Sequence, residues 1–348
     1  MGKYDTLTRS VLMRTFCSPW CSPAVTNDGI AKSVTLSFIP SSVLSTLTRY
    51  RVAMRLGQYS TDETEQVWCG TRTADGTVLD LHTAGDAIGV EIPRRLSALL
   101  ETWNWQERVA LVTEYASETD EHRYTADEVT RHAPVDDPEK VVCVGLNYED
   151  HAEEGDNPIP DEPVLFSKFP TTVRGPDDEI TWDPDYTEQV DYESELVVVI
   201  GDEARHVDEQ DARDYVAGVT VGNDVSARDL QHSDGQWVRG KSLDSFAPTG
   251  PELVTLDEVE DVHDLNIWTE IDGERLQDST TANLSFDIDT LVSFCSQAFT
   301  LKPGDLLFTG TPPGVGVYRD PPVLLDDGTT VTVGVEDVGE LTNTCRHE

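Results

Sequence analysis

The run Leu196-Val-Val-Val-Ile200, closed by Gly201, is apolar and mostly β-branched, the composition of a strand buried on both faces. Directly before it stand Asp191-Tyr-Glu193-Ser-Glu195. Side chains alternate faces along a strand, so Glu193 and Glu195 share one face, with Cβ atoms roughly 6.5–7 Å apart. Two carboxylates beside a hydrophobic core repel each other unless positive charge lies between them. A hard divalent cation with oxygen ligands, Mg²⁺ above all, meets that need. Taken alone, Glu-x-Glu is also what a solvated strand end looks like in a very acidic protein. The rest of the chain decides between the two.

How acidic the protein is follows from 66 acidic against 25 basic residues in 348, a net charge of -41. Such a chain repels phosphate, which argues against nucleic acid and anionic membranes as partners. Its 38% hydrophobic content is too high for a disordered acidic tail. The acid is spread along the chain and lysine is scarce beside arginine, which suggests a halophilic, soluble protein. In about 1 M salt the Debye length falls to about 3 Å and self-repulsion is screened. No apolar stretch approaches the roughly 20 residues of a membrane span. Six cysteines, at positions 17, 21, 69, 143, 295 and 345, lack CxxC pairing. Free thiols in a reducing cytoplasm are the expectation.

Residues 1–53 differ from the remainder. They hold two acids and six bases, a net +4, so residues 54–348 carry -45. Periodicity is short-lived there, and Met54 opens a plausible first strand. The segment is expected to be a non-native or disordered N-terminal extension, with translation starting at Met54. Residues 54–133 read as a small α/β domain, with strand-like pieces around Val67–Cys69 and Thr77–Leu79 and helical spacing in Pro93–Leu100 and Glu107–Tyr115. Pro134–Pro138 reads as a linker. Residues 138–348 form the expected metal-dependent catalytic domain, richer in strands than helices and without βαβ alternation. The expected fold class is α+β and β-rich, with a mixed, largely antiparallel sheet.

Chemistry gathers in this second part. In Gly145-Leu-Asn-Tyr-Glu-Asp-His151-Ala-Glu-Glu154, His151 and Glu154 are neighbours on one helical face. A carboxylate beside an imidazole orients the ring and equips it to take a proton. Asp224 ends the apolar run Val219–Gly222 and offers a third carboxylate, toward the near-octahedral sphere Mg²⁺ demands. Thr309-Gly-Thr311-Pro-Pro-Gly314-Val-Gly316 makes a stiff turn that brings backbone close to a ligand. Residues 54–348 keep only four lysines, and Lys168 and Lys241 fall among these motifs. Gly235–Ser242 satisfies the Walker A pattern literally. No buried strand precedes it, and Trp237 and Arg239 crowd its interior, which argues against nucleotide binding.

In order, Asn147-Tyr-x-x-His151-x-x-Glu154, Phe166-x-Lys168, Glu193-x-Glu195-Leu, Asn223-Asp224-Val-Ser-Ala-Arg228-Asp-x-Gln231, Gly240-Lys241-Ser and Thr309–Gly316 resemble the fumarylacetoacetate hydrolase family. The branch is that of acylpyruvases, oxaloacetate tautomerases and diketo-deoxysugar-acid hydrolases. The resemblance covers residues 138–340, more loosely 54–133, and implies a β-roll fold and a homodimer. It implies Glu193, Glu195 and Asp224 as ligands of Mg²⁺, with Mn²⁺ or Ca²⁺ as substitutes, and His151 with Glu154 as an acid–base pair on a lid. Lys241 would contact substrate oxygens, helped by Arg228, Gln231, Lys168 and Thr311. The implied substrate is a small 2-oxo or 2,4-dioxo acid, cleaved between carbons through a metal-stabilised enolate. Tautomerisation, decarboxylation and (de)hydration on the same site are the alternatives. A metal-binding protein without turnover is the rival from another class.

Overall fold

The apolar run identified above forms the strand Ser194–Ile200, and every one of its residues is buried. Its alternate side chains enter two different cores. Val197 and Val199 pack with Val141, Cys143, Leu306, Phe308 and the helices of residues 81–116. Leu196, Val198 and Ile200 pack with Val142, Leu307 and the side chains of a second sheet and of the helix Ile288–Ala298. A strand covered on both sides has no polar face, which is why the sequence shows a continuous apolar run there instead of alternation.

The computed structural model describes residues 53–155, 158 and 160–348. The expected N-terminal extension thus lies outside the described residues, apart from Ala53. Among the described residues a 12-stranded mixed sheet dominates. At its centre Ser194–Ile200 lies antiparallel to Val216–Asn223 on one side and to Leu306–Phe308 on the other. Leu306–Phe308 runs parallel to Val141–Gly145, which pairs antiparallel with Val164–Lys168. On the other flank Val216–Asn223 pairs with Ala247–Val254, and that strand with Arg55–Thr61, in register Arg55↔Val254 and Leu56↔Leu253. Residues 55–132 thereby hydrogen-bond into the same sheet as the motif-bearing strands. A five-stranded sheet, in the order Glu274–Thr280, Asn266–Ile271, Thr330–Val335, Gly339–His347, Glu179–Trp182, closes the second core. The β-rich α+β class expected from the sequence is the class of the protein.

Differences in detail have local causes. Ala247–Val254 is a central strand although it contains Pro248 and Pro251. Proline removes a ladder donor and ordinarily marks an edge, so no strand signal is visible along the chain here. Glu209–Tyr215 is a 3₁₀ segment, while Ile288–Ala298 is an α-helix capped by Asp287, which accepts from Thr290 N.

One glycine ties the core to the carboxylates. Gly222 faces Glu195 in register, one residue before Asn223 and two before Asp224. A Cβ there would lie 2.5 Å from both the Phe308 ring and a Val197 methyl. Gly222→Ala is therefore expected to destabilise the protein by about 1–3 kcal/mol through overpacking. The check is a lowered urea midpoint at unchanged slope; an unshifted midpoint would show that this contact yields freely.

Candidate functional site

Glu193, Glu195 and Asp224 each offer a carboxylate oxygen within 4.8 Å of the others, and all three are buried. The backbone sets this up. Antiparallel pairing places Ser194 opposite Asn223 and Glu195 opposite Gly222, while Asp224 N donates to Glu193 O at 2.9 Å. Asn223 Oδ1 accepts from Glu193 N at 3.0 Å, stitching the two strand ends together.

Three cations surround the carboxylates. Lys241 Nζ donates to Glu193 Oε2 and to Asp224 Oδ2, both at 2.8 Å. Lys168 Nζ is paired with Asp224 Oδ1 and donates to Val225 O at 2.9 Å. Arg228 Nη1 meets Glu193 Oε1 at 2.6 Å and donates to Gln231 Oε1 at 3.1 Å, while Nε donates to Asp191 Oδ2 at 2.9 Å. Lys168, Lys241, Arg228 and Gln231 are all buried. As placed, Lys241 bridges two carboxylates and Lys168 is enclosed. The lysine of the Walker-like pattern is therefore spent on carboxylates, and the Trp237 ring stacks edge-on against Phe166 at 5.4 Å.

Glu195 stands apart. Its carboxylate accepts one hydrogen bond, from Gly310 N at 2.7 Å, and among the described residues it has no ion-pair partner. Burial pushes its carboxyl well above the usual range, and the charges of Asp224 and Glu193 push the same way. Glu193 is likewise pushed up by burial, but Lys241, Arg228 and His151 outweigh that and hold it below the usual range. The lysines part in the same manner. Burial lowers both; Asp224 and Glu193 together more than offset this at Lys241 and raise it, whereas Lys168, with one carboxylate and Lys241 nearby, stays lowered. With Asp191, four buried carboxylates face three buried cations. A divalent ion fits the chemistry of this donor set: hard oxygen ligands close together, one of them without a counter-charge among the described residues.

His151 and Glu154 lie on the helix Glu149–Glu154. His151 Nδ1 is 3.4 Å from Glu154 Oε2. Glu154 in turn accepts from Gly314 N, at 3.0 and 3.1 Å to its two oxygens. The turn of residues 309–316 is pinned throughout. Thr311 Oγ1 donates to Ser194 O at 3.0 Å and accepts from Gln277 Nε2 at 2.9 Å. Gly310 has φ +105° and packs on Asn147, where a Cβ would come within 2.7 Å of the Asn147 Cβ. The Asn147 amide donates to Thr309 O at 2.7 Å and to Phe286 O at 3.0 Å.

The sequence reading left Asp191, Asn147 and Gln277 without roles. Asp191 carried a usable signal, since it shares the period-two parity of Glu193 and Glu195. Asn147 stood inside a quoted motif. Gln277 sits on a distant hairpin, Asn266–Thr280, and nothing in its neighbourhood marks it. A second group, His263, Asp287 and Asp289, also brings ligand atoms together, but Arg213 Nε donates to both Asp289 oxygens at 2.9 Å and supplies the positive charge there.

A sheet ending in three convergent buried carboxylates that could hold a metal ion, with an imidazole–carboxylate pair on the helix Glu149–Glu154, is the class of site a metal-assisted enzyme would need. Comparison with known proteins supplies the family. The family described as Fumarylacetoacetate (FAA) hydrolase C-terminal matches residues 140–346. The mitochondrial oxaloacetate tautomerase fahd2 of Xenopus laevis is 38% identical over 295 residues, covering 84% of this chain and 90% of its own. Oxaloacetate tautomerase FAHD2B of Bos taurus, also mitochondrial, is 42% identical over 293 residues, 83% of this chain and 91% of that one. Among solved structures, the fumarylacetoacetate hydrolase of psychrophilic Exiguobacterium antarcticum superposes with a TM-score of 0.71 at 33% identity, covering 85% of this chain and 100% of its own. A 5-carboxymethyl-2-hydroxymuconate delta-isomerase from Mycobacterium smegmatis gives 0.65 at 34%, covering 85% and 99%. The chain belongs to the fumarylacetoacetate hydrolase family and is an enzyme of that family. No helix among the described residues is long and apolar enough to cross a membrane.

If the three carboxylates hold a divalent ion, Mg²⁺ at a hundred times its Kd should stabilise the protein by about 2.7 kcal/mol. Glu195→Gln should lose most of that gain. Thermal unfolding with Mg²⁺ or EDTA measures both; an equal gain in the variant would remove Glu195 from the ligand set.

Proposed function

We propose that this enzyme interconverts keto and enol forms of a small 2-oxo acid, oxaloacetate first among them, with Mg²⁺ held by Glu193, Glu195 and Asp224. The observation that carries this reading is the convergence of those three buried oxygens within 4.8 Å, with one carboxylate lacking a counter-ion. Full-length relatives named oxaloacetate tautomerases support the choice of reaction.

Charge balance points to the ligand. With all four ionised, four carboxylates and three cations leave one negative charge; a divalent ion would turn it into one positive, which favours an anionic substrate carboxylate beside the ion. A bound divalent ion supplies Lewis-acid stabilisation of charge developing on the 2-oxo oxygen. The chain's own residues do the rest. Glu154 accepts from the Nδ1 side of His151, which leaves Nε2 to take a proton from C3 and return it to oxygen, or the reverse. Lys241 and Arg228 place fixed positive charge beside the centre, where it favours the enolate over the neutral ketone. Gln231 adds a substrate contact in this proposal, while Lys168, enclosed against Asp224, and Thr311, held between Ser194 O and Gln277, position the centre.

Cleavage of a 2,4-dioxo acid is the second reading, favoured by the fumarylacetoacetate hydrolase among the structural neighbours. There His151 would deprotonate water for attack on the C4 carbonyl, and the C3–C4 bond would break to release a 2-oxo acid and a carboxylic acid. Decarboxylation, in which loss of CO₂ from a β-carboxylate leaves an enolate that is then protonated, and (de)hydration would use the same site. Following the ultraviolet absorbance of enol-oxaloacetate and of an acylpyruvate in high salt, with Mg²⁺ or EDTA, separates these outcomes. Loss of neither chromophore would leave a metal-binding protein without turnover. Cytoplasmic residence and a homodimer belong to the same proposal, and sedimentation of the purified protein measures the latter.

His151→Ala should lower turnover by about 10²–10⁴-fold, the usual contribution of a positioned acid–base group, while Mg²⁺ affinity stays within twofold. Retained turnover would refute the role given to His151.

A further inference from the structure

Asp191 carries more connections than any ligand carboxylate, and none of the roles above uses it. It is fully buried on the short strand Val190–Asp191, which pairs with Ser226–Ala227, in register Asp191↔Ser226. Its Oδ1 accepts from Gly316 N at 2.8 Å and from its neighbour Tyr192 N at 2.9 Å. Its Oδ2 accepts from Val317 N at 3.1 Å and from Arg228 Nε at 2.9 Å. Gly316 is required by this contact, because a Cβ there would lie 2.6 Å from Asp191 Oδ1 and 1.8 Å from Val323 O. The same turn leads into Tyr318, whose ring centre lies 6.3 Å from that of His151.

Arg228 is thus shared between two carboxylates, Asp191 through Nε and Glu193 through Nη1, and its buried Nη2 has no hydrogen-bond partner among the described residues. A guanidinium held by one carboxylate binds a second less tightly than it would alone, because its charge is already partly neutralised. We infer that Asp191 is a positioning residue: it anchors Arg228 so that Glu193 remains available to a divalent ion, and it fixes the 316–318 turn over the acid–base pair. This rests on the metal-centre reading given above. Without the Asp191 charge, Arg228, already 2.6 Å from Glu193 Oε1, would hold Glu193 more strongly and compete with the ion for it.

The test is calorimetric Mg²⁺ binding to the full chain in high salt, alongside turnover of enol-oxaloacetate. Asp191→Asn keeps the shape and the acceptor for Gly316 N but loses the charge. It should weaken Mg²⁺ binding by about 10–100-fold, the usual effect of removing a partner that orients a ligand. If Asp191 acts through Arg228, Arg228→Lys should give a loss of the same order, since an ammonium cannot span both carboxylates. The double variant should then be no worse than the poorer single one. A merely structural role gives additive losses, and that result overturns the inference, as does unchanged Mg²⁺ affinity in folded Asp191→Asn. Should Asp191→Asn fail to fold, Arg228→Lys decides: unchanged affinity overturns the inference and a loss supports it. Wild-type protein that binds Mg²⁺ but turns over no 2-oxo acid refutes the proposed function and leaves this inference to its own binding result. Wild-type protein that binds no divalent ion refutes the centre itself.

Discussion

Everything at this site depends on one electrostatic constraint: Glu195 is an ionisable group buried in a sheet, with no cation of its own among the described residues. Burying charge is expensive unless it is paired, and the neighbouring pairs are fully used. Lys241 is divided between Glu193 and Asp224, Lys168 is spent on Asp224, and Arg228 on Glu193 and Asp191. A protein seldom retains such an imbalance for stability, because replacing buried ion pairs by apolar groups is often neutral or better. The proposed divalent ion would offset this imbalance.

The fold supplies the rigidity that this demands. Three strands that form the sheet's centre hold the carboxylates and the Pro/Gly turn: Ser194–Ile200 carries Glu195, Val216–Asn223 leads to Asp224, and Leu306–Phe308 leads into residues 309–316. Both faces of that centre are packed, one by the helices of residues 81–116 and the other by the five-stranded sheet. Backbone amides of the turn reach back to Glu195, Glu154 and Asp191. A single glycine-rich loop therefore connects the proposed ligands, the imidazole's partner and the arginine's anchor.

Much of this was legible along the chain. Glu193 and Glu195 share a face because a strand has period two, and His151 and Glu154 because a helix brings residues three apart together. The run Leu196–Ile200 declared a strand covered on both sides. Other features left no trace. Ala247–Val254 hides as a strand because Pro248 and Pro251 break the pattern that announces one. Gln277 reaches Thr311 and Pro312 O from a hairpin more than thirty residues away in sequence. Local periodicity carries no record of such partners.

The sequence by itself determined the residue types and their local facing: carboxylates at strand ends, an imidazole one turn from a glutamate, a stiff Pro/Gly turn. Those follow from backbone geometry within a few residues. Only the tertiary structure decided which charges meet. Lys241 bridges Glu193 and Asp224, Arg228 is divided between Asp191 and Glu193, and Glu195 is left unpaired, because strand order and register bring together groups that the chain keeps tens of residues apart. Electrostatic pairing depends on distance in space, and distance in space is what a linear sequence does not state.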